Sequence, residues 1–175
     1  LANIANRAAG SELGSKSPVH PNDHVNLSQS SNDVFPTVMH VTATRVLQQQ
    51  LLPALTQLGK ALGRKADQFK DTLKIGRTHM MDATPVTLWQ EFGAYRWQVE
   101  FVRQQLASSA PAVATLAIGG TAVGTGLNSS SAWPASVIDA INTLSGFVFT
   151  EADNKFSQLA AHDVLVNLHN QLSLL

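Results

Sequence analysis

The sequence has 175 residues, of which 44% are apolar and 14% are charged, and its 12 basic side chains balance its 12 acidic ones. A chain of this length can bury a hydrophobic core, whereas zero net charge argues against the clustered positive charge of a nucleic-acid-binding protein or a polybasic membrane anchor. No apolar run approaches the ~20 residues of a membrane span, and the absence of Cys excludes a disulfide scaffold, a thiolate nucleophile and a Cys-ligated zinc site.

The first 70 residues predict two helices separated by a polar loop. The stretch from Leu1 to Glu12 is helix-like, and residues 10–33 are rich in Gly, Pro, Ser, Asn and Asp. A second helix is predicted to begin near Ser31–Asp33, because short polar side chains accept the free N–H groups of a first helical turn. Its apolar residues recur at steps of three and four: Leu47, Leu51, Leu55, Leu58 and Leu62. Pro53 is expected to kink or split this helix.

The rest of the chain predicts a connector and three more helices. Residues 71–86 break the helical period, and a heptad series then follows: Leu88, Phe92, Tyr95, Val99, Val102 and Leu106. Pro111 is expected to end this helix. After a Gly- and Ser-rich segment at 118–131, a short helix is predicted from Pro134 to Leu144. A last helix carries the seam Leu165, Leu168, Leu172 and Leu175. Alternating strand patterns are nearly absent, so the predicted class is all-α. The long helices are expected to pack against partner helices through their apolar seams.

Two polar segments resemble a phosphate-binding loop and a metal site, but each is better explained as a turn or a cap. Gly119 and Gly124 have the spacing of a phosphate-binding loop, but Thr125 stands where the Lys would be and no strand precedes it, so a tight turn is favoured over a nucleotide site. His20, Asp23 and His24 match no zinc pattern. Anion binding or turn capping is therefore favoured over a metal ion.

Two short motifs are better candidates for chemistry. Ser30, Ser31 and Asn32 place two hydroxyls and an amide at a predicted helix N-terminus, where an anion such as a carboxylate or phosphate would fit. Simple capping is the alternative. The run Arg77-Thr78-His79 combines a cation, a hydroxyl and a side chain that titrates near neutral pH, which suits general acid/base catalysis. An ordinary surface loop is the alternative there.

Four segments together resemble the class II fumarases of the aspartase/fumarase superfamily. They are residues 19–37, which contain the run His20-Pro21-Asn22-Asp23; residues 74–85; residues 119–128; and Asn154-Lys155-Phe156. Their order and spacing match the family across nearly the whole chain. The resemblance implies a partial all-α long-helix bundle and a hydro-lyase of the tricarboxylic acid cycle that adds water reversibly to fumarate, giving L-malate, without metal or organic cofactor.

The same resemblance implies roles for individual residues. His79 corresponds to the catalytic His that handles the proton of water. Thr78, Ser30, Ser31 and Asn32 correspond to groups that hold the substrate carboxylates. A second, non-catalytic dicarboxylate site would include His20, Asn22 and Asp23. The family assembles as a homotetramer in the cytoplasm or the mitochondrial matrix, so a small dicarboxylate and sister subunits are the expected partners, with neither nucleic acid nor membrane.

The resemblance also predicts that this chain is an internal fragment. A Ser/Thr substrate loop would precede it, and a flexible loop with the catalytic Ser base would follow it. We expect residues 1–86 to belong to an N-terminal helical region and residues 87–175 to a truncated central bundle. Met81 stands where the family usually has Gln, and Trp89 where it has Gly, which demands extra room or a local shift. The alternatives are an aspartate ammonia-lyase or related fumarate-releasing lyase, and a non-catalytic fragment that associates through its helices.

Overall fold

The computed structural model describes all of residues 1–175 and is mostly helical, as the sequence predicts. Its helices are α1 (Ala2–Ala8), α2 (Ser31–Val46), α3 (Leu52–Gln68), α4 (Leu88–Val113), α5 (Trp133–Ser145), α6 (Lys155–Ala160) and α7 (Asp163–Leu172). Short π-helical segments occupy Pro21–Val25 and Leu47–Leu51, and the strands are β1 (Leu73–Thr78), β2 (Met81–Thr87), β3 (Thr115–Leu116) and β4 (Thr150–Glu151). None of the helices combines the length and the apolar character that crossing a membrane requires.

The chain divides into two compact units. The first comprises Leu1–Val41 and Ala114–His162, and the second comprises Thr42–Val113 and Asp163–Leu175. The expected division between residues 86 and 87 stays a prediction about the domains of a longer protein.

In the first unit, the core lies between the Gly-rich loop and α5. Its buried members are Ala114, Leu116, Ile118, Ile138 and Phe149. The short strands β3 and β4 pair in parallel, with Thr115 opposite Thr150. The Asn142 side chain on α5 accepts the Phe149 N–H over 2.8 Å and donates to the Phe149 carbonyl oxygen over 3.2 Å. These bonds hold the segment before β4 against the end of α5.

In the second unit, α3 and α7 pack against α4. Leu47, Leu55, Val102 and Leu106 form the buried core, and Leu168 of α7 packs against it. Val102 and Leu106 of the predicted α4 seam and Leu168 of the last helix therefore meet in this core, as helices with heptad spacing do. Tyr95 and Leu175, which belong to the same predicted seams, are exposed instead. A hydrogen-bonded pair, Ser109 Oγ and Gln171, joins α4 and α7 at 2.9 Å.

The helix predicted around Pro53 is interrupted beside the proline. A π-helical segment, Leu47–Leu51, separates α2 from α3, and Pro53 lies in the first turn of α3, where its missing N–H donor is tolerated. Pro111 lies inside the last turn of α4, which continues to Val113 rather than ending at the proline. The first helix is shorter than the predicted stretch from Leu1 to Glu12: it ends at Ala8.

The connector predicted at residues 71–86 is wrong, because this segment forms an antiparallel β-hairpin. Leu73 pairs with Thr87 and Thr78 with Met81. A register shift between Ile75 and Arg77 interrupts the ladder at Gly76, where an added Cβ would lie 2.8 Å from a neighbouring carbonyl oxygen. Most of the hairpin is exposed, so its strands lack the alternating apolar pattern by which strands are recognised.

The bulky Trp89 requires no space in the core. Its side chain is 48% exposed on α4, so the ring lies at the surface of the unit. The extra room expected at this position is therefore supplied by solvent.

Candidate active site

The start of α2 is closed by a reciprocal pair of hydrogen bonds. The Asn32 backbone N–H donates to Ser30 Oγ over 3.2 Å, and the Ser30 backbone N–H donates to Asp33 Oδ1 over 2.9 Å. This is a capping box, in which a hydroxyl and an acidic side chain three residues later satisfy backbone groups at a helix start. The predicted start of this helix is confirmed, and Ser30 is its cap. The Ser30 hydroxyl still has its own proton to donate.

Ser31 and Asn32 keep polar groups that nothing in the chain occupies. Ser31 is exposed, and neither its backbone N–H nor its hydroxyl has a hydrogen-bond partner. The Asn32 side-chain Nδ2 donates to the Ala122 carbonyl oxygen over 2.8 Å, which leaves Oδ1 and the second amide hydrogen free. These donors stand at the positive end of the α2 dipole, so the arrangement favours an anion.

A depression of about 520 Å³ opens beside these groups. Its lining comprises Ser31, Asn32, Phe35, Pro36, Ala122, Leu159 and His162. The His162 imidazole is exposed and has no hydrogen-bond partner, and it follows Ala161, whose extended backbone (φ −144°, ψ 157°) separates it from α6. The sequence pattern gives His162 no role, because no spacing relates it to residues 31 and 32.

Thr78 and His79 lie at the tip of the β1–β2 hairpin in the second unit. His79 and Met80 form its two-residue loop, with φ values of 51° and 58°. Two successive positive φ values are typical of a type I′ turn, which usually contains Asn or Gly. Thr78, His79 and Met80 are all exposed, and neither the Thr78 hydroxyl nor the His79 imidazole has a hydrogen-bond partner. Both side chains can therefore meet a ligand.

The neighbouring Arg77 is engaged within the hairpin. Its Nε donates to Asp82 Oδ1 over 3.1 Å, and both side chains are more than half exposed. The cation of the predicted motif is thus partly neutralised by the opposite strand. Met81 is 70% exposed, so the side chain beside the tip of the β1–β2 hairpin presents an apolar surface and not the amide that a Gln at this position would present.

His20, Asn22 and Asp23 lie around the π-helical turn Pro21–Val25 in the first unit. His20 Nδ1 accepts the backbone N–H groups of Asn22 and Asp23 over 3.3 and 3.1 Å, and Asp23 Oδ2 lies 3.1 Å from the same nitrogen. The His20 backbone N–H donates to His24 Nδ1 over 2.8 Å. The His20 imidazole thus caps the turn, while the side chains of Asn22 and Asp23 are exposed.

The Gly-rich loop forms a tight turn against other parts of the first unit. Gly119 has a φ of 89°, and a Cβ added there would lie 2.4 Å from Pro134 Cγ. Gly124 has a φ of 109°, and its added Cβ would lie 3.1 Å from the Cα of Phe156. Only glycine fits such positions without strain or displacement. The structure also shows no group of three or more His, Cys, Asp or Glu residues close enough to hold a metal ion.

The candidate residues are divided between the two units. Ser30, Ser31 and Asn32 lie together in the first unit beside the Gly-rich loop, and residues 20–23 of the same unit form a turn of their own. Thr78 and His79 lie in the second unit. The roles of all eight candidates stay predictions.

Sequences similar to this chain occur in known proteins. A family model described as lyase matches residues 2–175. The mitochondrial fumarate hydratase of Danio rerio is 54% identical over 173 residues, covering 97% of this chain and 34% of the relative. The class II fumarate hydratase of Caulobacter vibrioides is 52% identical, with 97% and 37% covered. The chain thus spans about a third of the length of these relatives.

Solved structures agree with the sequence relatives. A recombinant class II fumarase from Schistosoma mansoni superposes with a TM-score of 0.93 at 37% identity, covering 99% of this chain and 39% of that one. A fumarate lyase:delta crystallin from Brucella melitensis, in a crystal structure bound to cobalt, gives a TM-score of 0.90 at 34% identity, covering 98% and 37%. The partial long-helix fold predicted from the sequence is therefore confirmed. With residues 2–175 matched by the family model, the chain belongs to the lyase family, and throughout the matched region it is similar to class II fumarate hydratases.

Proposed function

We propose that this chain is part of a fumarate hydratase that interconverts fumarate and L-malate. The observation that carries the proposal is the identity of about half of all residues with class II fumarate hydratases over nearly the entire chain. The unoccupied donors at Ser31 and Asn32 and the unoccupied imidazole of His79 support it, because they are the kinds of group that the reaction needs.

Hydration of fumarate requires control of one proton and of developing negative charge. Water attacks one olefinic carbon and loses a proton, for which the His79 imidazole is the general base. The electron pair of the double bond moves toward the carboxylate on the other carbon, which becomes a dianionic aci-carboxylate. A proton delivered to that other carbon completes L-malate. General acid/base groups of this kind contribute about 10²–10⁴ in rate.

Ser30, Ser31, Asn32 and Thr78 would hold the two carboxylates. Hydroxyl and N–H donors fixed in place before reaction stabilise charge that develops in the transition state, and they do so most strongly where water is excluded. Because Ser31, Asn32 and Thr78 are exposed and Ser30 is half-buried in this chain, the proposal requires further protein surface to close around them. His20, Asn22 and Asp23 would form a second dicarboxylate site without a part in the chemistry. No cofactor enters this scheme.

We also propose that the complete protein is a homotetramer whose subunits meet through α4. Tyr95, Trp97 and Phe101, which we call the α4 aromatic patch, are 51%, 67% and 42% exposed, and the rings of Trp97 and Phe101 stack at 5.5 Å. Contiguous exposed apolar side chains of this kind mark association surfaces.

The proposal is tested with the protein expressed from its complete gene. The purified protein is incubated with fumarate and, in parallel, with L-aspartate, and malate and ammonia are measured. We expect L-malate from fumarate and no ammonia from aspartate. Ammonia release without malate would support an ammonia-lyase on the same scaffold, and neither product would support a non-catalytic role.

The residue roles are tested by substitution in the same protein. His79→Asn should lower kcat by about 10²-fold or more, because general acid/base catalysis is lost. Met80→Ala, the matched control at the same turn, should retain most of the activity. An unchanged kcat for His79→Asn would remove His79 from the mechanism.

A further inference from the structure

The Asp33 carboxylate is fully buried and is satisfied only by backbone N–H groups. Its exposed fraction is 0%. Oδ1 accepts the Ser30 N–H over 2.9 Å, and Oδ2 accepts the N–H groups of Gly119 and Thr121 over 3.0 and 2.9 Å. An ionised carboxylate away from water is tolerated only with such partners, because its desolvation is otherwise costly.

These bonds join two segments that are distant in sequence. Oδ1 completes the capping box of α2, while Oδ2 fixes the Gly-rich loop at positions 86 and 88 residues further along. Asp33 therefore bonds to both the helix start and the loop and holds them in one arrangement.

The loop held in this way also orients a candidate substrate ligand. Thr121, whose N–H is bound by Asp33, precedes Ala122, whose carbonyl oxygen accepts the Asn32 side-chain amide over 2.8 Å. Thr121 itself is buried and has a φ of 54°, a backbone conformation that needs support from its surroundings. If the loop moved, the Ala122 carbonyl would move with it, and the Asn32 amide would lose its direction.

We propose that Asp33 is a positioning residue for the dicarboxylate site: its buried carboxylate clamps the Gly-rich loop to the start of α2 and thereby sets the orientation in which Asn32 presents its amide to a substrate carboxylate. This inference rests on the proposed function. Asp33 does not touch the substrate and acts through Asn32.

The kinetic test is a double-mutant cycle in the protein expressed from its complete gene. Asp33→Asn keeps the shape of the side chain, but its NH₂ group must face an N–H donor, so at least one of the three bonds is lost. Asp33→Asn and Asn32→Ala should each lower kcat/KM for fumarate by about 10-fold or more. The double variant should be no worse than Asn32→Ala, because Asp33 acts through the amide that is already absent. Multiplicative losses would overturn the inference.

A stability control separates positioning from general damage. Asn142→Ala removes two side-chain bonds to Phe149 in the same unit without touching residues 30–33 or the Gly-rich loop. Its kcat/KM should stay within about 2-fold of wild type, although its unfolding midpoint falls. A loss of kcat/KM in Asn142→Ala equal to that in Asp33→Asn would mean that Asp33 contributes only stability, and would overturn the inference. If Asp33→Asn does not fold, the cycle is run with Asp33→Glu, which keeps the charge but displaces it.

A crystallographic measurement keeps this inference distinct from the proposed function. In a crystal structure of the Asp33→Asn or Asp33→Glu protein, the hydrogen bond from Asn32 Nδ2 to the Ala122 carbonyl oxygen should be broken, or the plane of the Asn32 side-chain amide should be rotated. An unchanged contact would refute the positioning role whether or not the wild-type protein hydrates fumarate. A broken contact in the variant, together with a wild-type protein that makes no malate, would leave the clamp standing and refute the proposed function instead.

Discussion

Replacing Gly119 by Ala should destabilise the first unit more than its backbone conformation alone explains. The φ of 89° costs an L residue about 1–2 kcal/mol. The added Cβ would also lie 2.4 Å from Pro134 Cγ and 2.8 Å from Pro134 Cβ, and relieving such overpacking costs about 1–3 kcal/mol. Because the proline ring cannot rotate away, the loop itself must move. We therefore expect a loss of about 2–5 kcal/mol in the free energy of unfolding.

Gly146→Ala is the matched control for this substitution. Gly146 has a φ of 73°, but no heavy atom lies within 4 Å of its added Cβ, so only the backbone term of about 1–2 kcal/mol applies. The three tryptophans are Trp89, Trp97 and Trp133, and only Trp133 lies in the first unit. Urea unfolding followed by fluorescence in a Trp89→Phe/Trp97→Phe background thus reports on that unit. Equal losses for Gly119→Ala and Gly146→Ala would refute the close contact with Pro134.

Three further predictions concern acidity, association and activity. Hydrogen bonds from Arg103 and then Gln104 lower the pKa of Glu100 from 4.5 to about 2, so the charged form stabilises the fold above pH ~4.5, and this contribution is lost as the pH falls toward 2. The denaturation midpoints of wild type and Glu100→Gln should therefore converge as the pH falls from about 4.5 toward 2. A difference between the two midpoints that does not depend on pH would show that the charge of Glu100 is not its source. Sedimentation of the 175-residue chain should show association that Trp97→Glu weakens; a wild-type monomer would argue against the α4 aromatic patch as an interface. The 175-residue chain alone should not convert fumarate to malate, because His79, Ser31 and Asn32 are exposed to solvent, and measurable hydration would refute the need for a closed site.

The helices were predictable from the sequence because their core positions are locally encoded. Apolar residues at helical spacing mark the buried faces of α3 and α4, and short polar residues mark the start of α2 at Ser31. The β-hairpin was not predictable in this way. Its strands are mostly exposed, and its turn residues His79 and Met80 adopt positive φ values without a glycine to signal them.

The residue types of the candidate site were predictable from the sequence, but the contacts between residues distant in sequence were not. Family motifs pointed to Ser31 and Asn32, and the structure shows their polar groups unoccupied. The buried Asp33 and its bonds to residues more than 80 positions away leave no local pattern, since such contacts exist only after the chain folds. His162 likewise reaches the depression through a break in helical conformation at Ala161.

If the proposed function is correct, the His79 imidazole and the donors at the start of α2 act on one four-carbon diacid, within a subunit or across subunits. The most direct measurement is a crystal structure of the protein expressed from its complete gene with L-malate bound. We expect His79 within hydrogen-bond distance of the malate hydroxyl, and Ser31 and Asn32 in contact with a carboxylate of the same molecule. Malate held without His79, or His79 distant from every site that contains Ser31 and Asn32, would contradict this expectation.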